Sequence, residues 1–166
     1  MDNSCFMDNS CFNDLWIDGN NIPTLLQAIE GEEYGRDLLI DFNKITPMPE
    51  ELDVDECVWQ EENWGTCFNA ANPAFIHDTS RNLGIRFATF DGPPIKVIRT
   101  LARQFPKNRF TLRYYERDAG FEGCLTVKGE RIIEESYVDH CSWWKDNRVV
   151  VAGRKFEDEL SIWYSG

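Results

Sequence analysis

The chain has 166 residues, 42% of them hydrophobic and 13% aromatic, with a formal net charge of −12 and a pI near 4.6. That size suits one domain, and the apolar content is too high for an unfolded chain. No run approaches the ~20 apolar residues that span a bilayer, so no membrane segment is expected. The opening residues MDNSCFMDNSCFND lack a basic stretch followed by an apolar one, which points to a cytoplasmic protein without a secretory leader.

The hexapeptide MDNSCF occurs twice, at 1–6 and 7–12. Two short copies make no structural repeat, so residues 1–10 are read as an appendage. From Cys11 the pattern alternates: Cys11, Asn13, Leu15 and Ile17 share one side, while Phe12, Asp14, Trp16 and Asp18 share the other. This predicts a strand closed by Gly19. Asn20 and Asn21 offer caps, Pro23 suits a first helical turn, and Leu25, Leu26 and Ile29 form an apolar stripe, so a short helix follows. A second strand is predicted from Leu38 to about Phe42, before Pro47 and Pro49.

Residues 50–80 read as an acidic, irregular insertion held by aromatic anchors. IRFATFD then predicts a strand, and Pro93 to Phe105 a helix with Asp91 as candidate cap and Ile95, Ile98, Leu101, Ala102 and Phe105 buried. RFTLRYYE and CLTVKGERII predict further strands. Residues 136–166 form a β-rich extension containing NRVVVAG, LSIWY and the Trp143–Trp144 pair. The order matches an α+β, ferredoxin-like (split βαβ) antiparallel sheet with two helices over residues 11–135, interrupted by the insertion.

Three stretches, LIDFNKITPMPEEL, NWGTCFNA and FATFDGPPIKVIRTLARQFPKNRFTLRYYE, followed by GFEGCLTVKGE, resemble in order the YubB-type (Api92-like) ferredoxin-like family of plasmid and phage proteins. The likeness spans roughly residues 11 to 135 and rests chiefly on the N-K-I-x-P-M-P turn at 43–49 and the N-W-G-T box at 63–66. It departs from the family at Asn9-Ser10-Cys11, where Asn-Trp-Cys is usual, and at Cys67 and Phe68, where Lys and Trp are usual. The resemblance implies a fold and an origin in mobile elements. It implies no activity.

Six cysteines without a C-x-x-C pair, and only His77 and His140 as histidines, predict no metal site, no cofactor and reduced thiols. Carboxylates near 53–62, or Glu134, Glu135 and Asp139 with His140, lack the spacing of an acid–base or metal centre, and no phosphate-binding or nucleophile motif is present. The chain is therefore read as no enzyme.

Charge is uneven. Residues 1–80 carry 17 acidic side chains against Arg36 and Lys44, a net −15, while residues 81–166 carry 12 against 15, a net +3. Asp53, Asp55, Glu56, Glu61 and Glu62 around Trp59 are accordingly read as a partner-binding surface, with Trp64, Phe68 and Phe75 as its tethers. Given the mobile-element origin that the resemblance implies, such a surface would occupy the basic nucleic-acid-binding groove of a host defence protein or ribonucleoprotein complex, in the manner of an anti-CRISPR inhibitor. The alternative is a nucleic-acid-binding accessory protein. It would use Lys96, Arg99, Arg103, Lys107 and Arg109 for phosphates and Phe87, Phe90, Phe110, Tyr114 and Tyr115 for bases. The low pI opposes direct nucleic-acid binding. Either a monomer or a homodimer is compatible with an uncovered sheet edge.

Overall fold

A computed structural model describes residues 10–139. Ser10, expected in the appendage at 1–10, begins the first strand; the rest of that appendage, His140, Cys141, the tryptophan pair and the two terminal strands expected from sequence lie outside the described residues. The elements in order are β1 (Ser10–Asp18), α1 (Ile22–Ile29), β2 (Gly31–Glu33), β3 (Arg36–Leu38), α2 (Phe42–Ile45), α3 (Glu56–Asn63), β4 (Cys67–Asp78), β5 (Asn82–Phe90), α4 (Ile95–Gln104), β6 (Arg109–Glu116), β7 (Phe121–Lys128) and β8 (Arg131–Asp139). Six strands make one antiparallel sheet in the order β4-β5-β1-β6-β7-β8, and β2 pairs with β3 as a separate ribbon.

The period of two in the first strand sets the layers. Cys11, Leu15 and Ile17 of β1 are wholly buried, as is Asn13, and they pack with Ile22, Leu25 and Ile29 of α1 and with Val97, Ile98, Leu101 and Ala102 of α4. Each large apolar side chain so buried stabilises the fold by about 1.5–3 kcal/mol. Asn13 is satisfied within the core, its amide donating to the Cys11 carbonyl at 3.1 Å and to Thr89 Oγ1 at 2.9 Å. On the opposite face Asp14 pairs with Arg86, Nε to Oδ1 at 2.8 Å.

Three predicted features take a different form. The strand expected at Leu38–Phe42 is absent, because the Asp41 carboxylate accepts from the Asn43 amide at 2.9 Å and caps the short helix α2 instead. Residues 56–63 and 67–78, expected to be irregular, form α3 and β4. Asp91 is not the cap of α4; it sits at φ +62, and no side chain caps that helix.

The two sequence boxes dock on each other. Trp64 is buried, its indole N–H donates to the Thr46 carbonyl at 2.9 Å, and its ring meets Phe42 edge-on at 5.8 Å. The Asn69 amide donates to Asp41 Oδ1 at 2.7 Å and its oxygen accepts from the Phe42 N–H at 2.9 Å. Gly65, at φ +92, lets the chain turn with Pro93 and Ile95 backbone atoms within 3.3 Å of where a side chain would begin. The boxes are thus framework, and they position α3 against β4.

Candidate functional site

Helix α3 presents the acidic surface. Asp55 is its N-cap, accepting from the Cys57 amide at 2.9 Å, and Glu56 lies in the first turn, where the helix dipole favours negative charge. Asp53, Asp55, Glu56, Glu61 and Glu62 are all exposed. Among the described residues none of the five is ion-paired. Glu61 and Glu62 stand in the last turn, against the dipole. Lys96 compensates by donating from Nζ to their backbone carbonyls at 3.3 and 2.8 Å, which leaves the carboxylates themselves outward.

The aromatic side chains exchange the parts assigned from sequence. Trp59 is partly buried against the core and meets Trp64 edge-on at 5.8 Å. Phe68, expected as a tether, is 56% exposed, and Phe75 is 40% exposed. Trp64 alone of the expected anchors is buried. Phe68 also has φ +67, a region that bulky side chains rarely occupy. Its N–H donates to Oε1 of the buried Gln60 at 2.9 Å, and its ring meets Phe90 edge-on at 5.7 Å. Val54, just before the N-cap, and Val58, within α3, are exposed beside the acids. The site therefore consists of small apolar surfaces set among unpaired carboxylates.

Cys57 and Cys67 are bridged, with Cα atoms 5.0 Å apart, so the expectation of reduced thiols fails for this pair. The bridge ties the first turn of α3 to the start of β4. Cys11 and Cys124 lie outside any disulfide among the described residues, and burial raises the Cys11 thiol far above its ordinary pKa.

The alternative set divides. Lys96 is engaged by α3, while Arg99, Arg103, Lys107 and Arg109 are exposed along α4 and the start of β6. Phe87, Phe110 and Tyr114 are buried, as is Tyr115, so these rings serve the sheet's own packing; Phe90 lies half-buried against Phe68. Burial pushes the Tyr114 hydroxyl up to about 12, and the neighbouring Cys11, Glu135, Tyr137 and Cys124 add to the shift. Among the described residues no group of three His, Cys, Asp or Glu side chains is placed to hold a metal ion, and no helix is long and apolar enough to cross a membrane.

Fold and site together define an α+β protein with a mostly antiparallel sheet that displays a carboxylate-rich helix beside its edge strand. Among solved structures it is similar to the protein api92 from Yersinia pseudotuberculosis, of the DUF1281 family, with a TM-score of 0.46 and 16% sequence identity. The match covers 52% of this chain and 31% of that one, a partial likeness of fold on which no functional argument rests. No family model and no curated protein matches the chain.

Proposed function

We propose that this is a non-enzymatic counter-defence protein of a phage or plasmid, acting in the bacterial cytoplasm. It inhibits a host defence complex of the CRISPR type by occupying a basic nucleic-acid-binding surface with α3. One observation carries the reading: the five carboxylates of Asp53, Asp55, Glu56, Glu61 and Glu62 are exposed and none is neutralised by the protein's own cations among the described residues. Such a surface resembles a run of phosphates in charge, and opposite fields speed its encounter with a cationic groove. Val54, Val58 and Phe68 supply the desolvated contact that charge alone does not. The split βαβ, ferredoxin-like core that we infer accounts for the rigidity of the display. Its support is the position of β1 between β5 and β6, with α1 preceding β4 and α4 joining β5 to β6.

The test is phage plaquing on a host with an active RNA-guided nuclease and a matching guide. Expression of the wild-type protein is expected to restore plaques. A variant with Asp53, Asp55, Glu56, Glu61 and Glu62 changed to Lys is expected to restore none while remaining folded. Full restoration by that variant would defeat the acidic-face mechanism.

A further inference from the structure

The acidic helix has a counterpart on the other side of the charge balance, and its geometry is different. Arg99 and Arg103 lie one turn apart on α4 and, with Val127, Gly129 and Glu130 of the β7–β8 hairpin, line a cleft of about 270 Å³. The hairpin turn, with Gly129 at φ +58, lies beside Pro106. Neither guanidinium has a carboxylate at ion-pairing distance among the described residues, although Glu130 lines the same cleft.

That arrangement is not explained by helix stability. Arg103 occupies the last turn, where a cation suits the dipole. Arg99 does not, and like charges four residues apart on a helix repel. Arg103 Nη2 donates to Thr100 Oγ1 at 3.0 Å, which fixes the plane of the guanidinium and leaves its remaining N–H groups for another acceptor. Two guanidinium forks facing one cleft match the tetrahedral oxygens of a phosphate group, which accepts paired hydrogen bonds and relieves the repulsion between them.

We propose that this cleft is a phosphate-binding site, distinct from the acidic surface and independent of the reading above. Arg99 and Arg103 grip the phosphate, and Glu130, which lines the same cleft, limits the negative charge that the cleft accepts. The phosphate belongs either to a small phosphorylated molecule or to a nucleic-acid strand.

The full-length protein is titrated with inorganic phosphate, with a nucleoside monophosphate and with a short single-stranded oligonucleotide, following the arginine side-chain resonances by NMR. Saturable shifts of the Arg99 and Arg103 signals are expected with phosphate. Arg99→Gln and Arg103→Gln each weaken binding by about tenfold or more, the loss of a charge-assisted hydrogen bond. Glu130→Gln tightens it severalfold. Tighter binding of the monophosphate than of the oligonucleotide identifies the small-molecule source, and the reverse order identifies the strand. Since all three side chains are exposed, the variants are expected to keep the wild-type backbone spectrum. No saturable shift up to about 20 mM phosphate, where a Kd near 1 mM would be saturated, overturns the proposal. So does equal binding by wild type and both arginine variants, or binding of the oligonucleotide without binding of phosphate or monophosphate.

Discussion

At φ +67 the Phe68 backbone holds Cβ close to a carbonyl oxygen, at a cost of roughly 1–2 kcal/mol that glycine would not incur. The neighbouring hydrogen bond to Gln60 and the bridge at Cys67 hold it there, and the ring is carried into solvent. Phe68→Gly is therefore expected to melt within about 3 °C of wild type while losing most inhibitory activity, since relief of strain offsets the lost ring contact. A drop of the size caused by emptying a core site, about 3–5 kcal/mol, would make Phe68 a packing residue instead. Gly123 is the opposite case. A Cβ there would meet the Tyr114 ring and stand 2.7 Å from the Ser136 carbonyl oxygen. Gly123→Ala should lower stability by about 1–3 kcal/mol in urea unfolding. Tyr114 also sets a pH dependence. Its folded pKa is raised to about 12 from an ordinary 10, so above pH 10 the native state holds a proton that the unfolded chain releases. The Tyr114 contribution is fully present below pH 10 and falls as pH rises towards 12, and Cys11, also raised by burial, adds a loss that begins near its ordinary value of 9.0. The urea midpoint should decline over that window, and less steeply in Tyr114→Phe.

Helix α3 owes its placement to three ties of different chemistry: the Cys57–Cys67 bridge, the Gln60 side chain under Phe68, and Lys96 on the terminal carbonyls. A crosslink over a separation of 10 residues contributes about 2–3 kcal/mol in the chain-entropy model. Reduction, or Cys57→Ser, should lower the melting temperature and raise hydrogen exchange in α3 and the start of β4 before the central strands. Uniform exchange across the sheet would mean that the bridge does not clamp the helix. The other elements differ in how far their sequence disclosed them. The β1 alternation and the α4 stripe were legible because packing on one face writes a period of two or 3.6 into the residues. β4 was not, since register shifts between Cys67 and Ala71, Ala71 and Ala74, and Phe75 and His77 break its alternation. Positive φ at Phe68 and Asn72 does the same. Bulging of this kind suits an edge strand, where a flat, regular one invites pairing with other chains. The strand expected near Leu38 failed through a local capping bond at Asp41, which apolar content does not reveal.

On the scale of the molecule, charge separation was readable from composition, whereas its pairing was not. Only the folded arrangement leaves the α3 carboxylates unpaired among the described residues and turns Trp59 inward while Phe68 points out. The exposed ring follows the N-W-G-T box, and its positive φ, which carries it outward, has no mark in residue type. A net charge of −12 predicts passage through a heparin column at low salt. Retention would mean that the basic side of α4 outweighs the acidic helix. Inhibition through α3 is tested by the association rate with a purified RNA-guided nuclease complex, measured across ionic strength with and without its DNA target. Steering by α3 predicts a rate that falls about tenfold or more between 50 and 300 mM salt and vanishes when DNA already fills the groove. A rate indifferent to salt, or binding that proceeds with DNA in place, would contradict it.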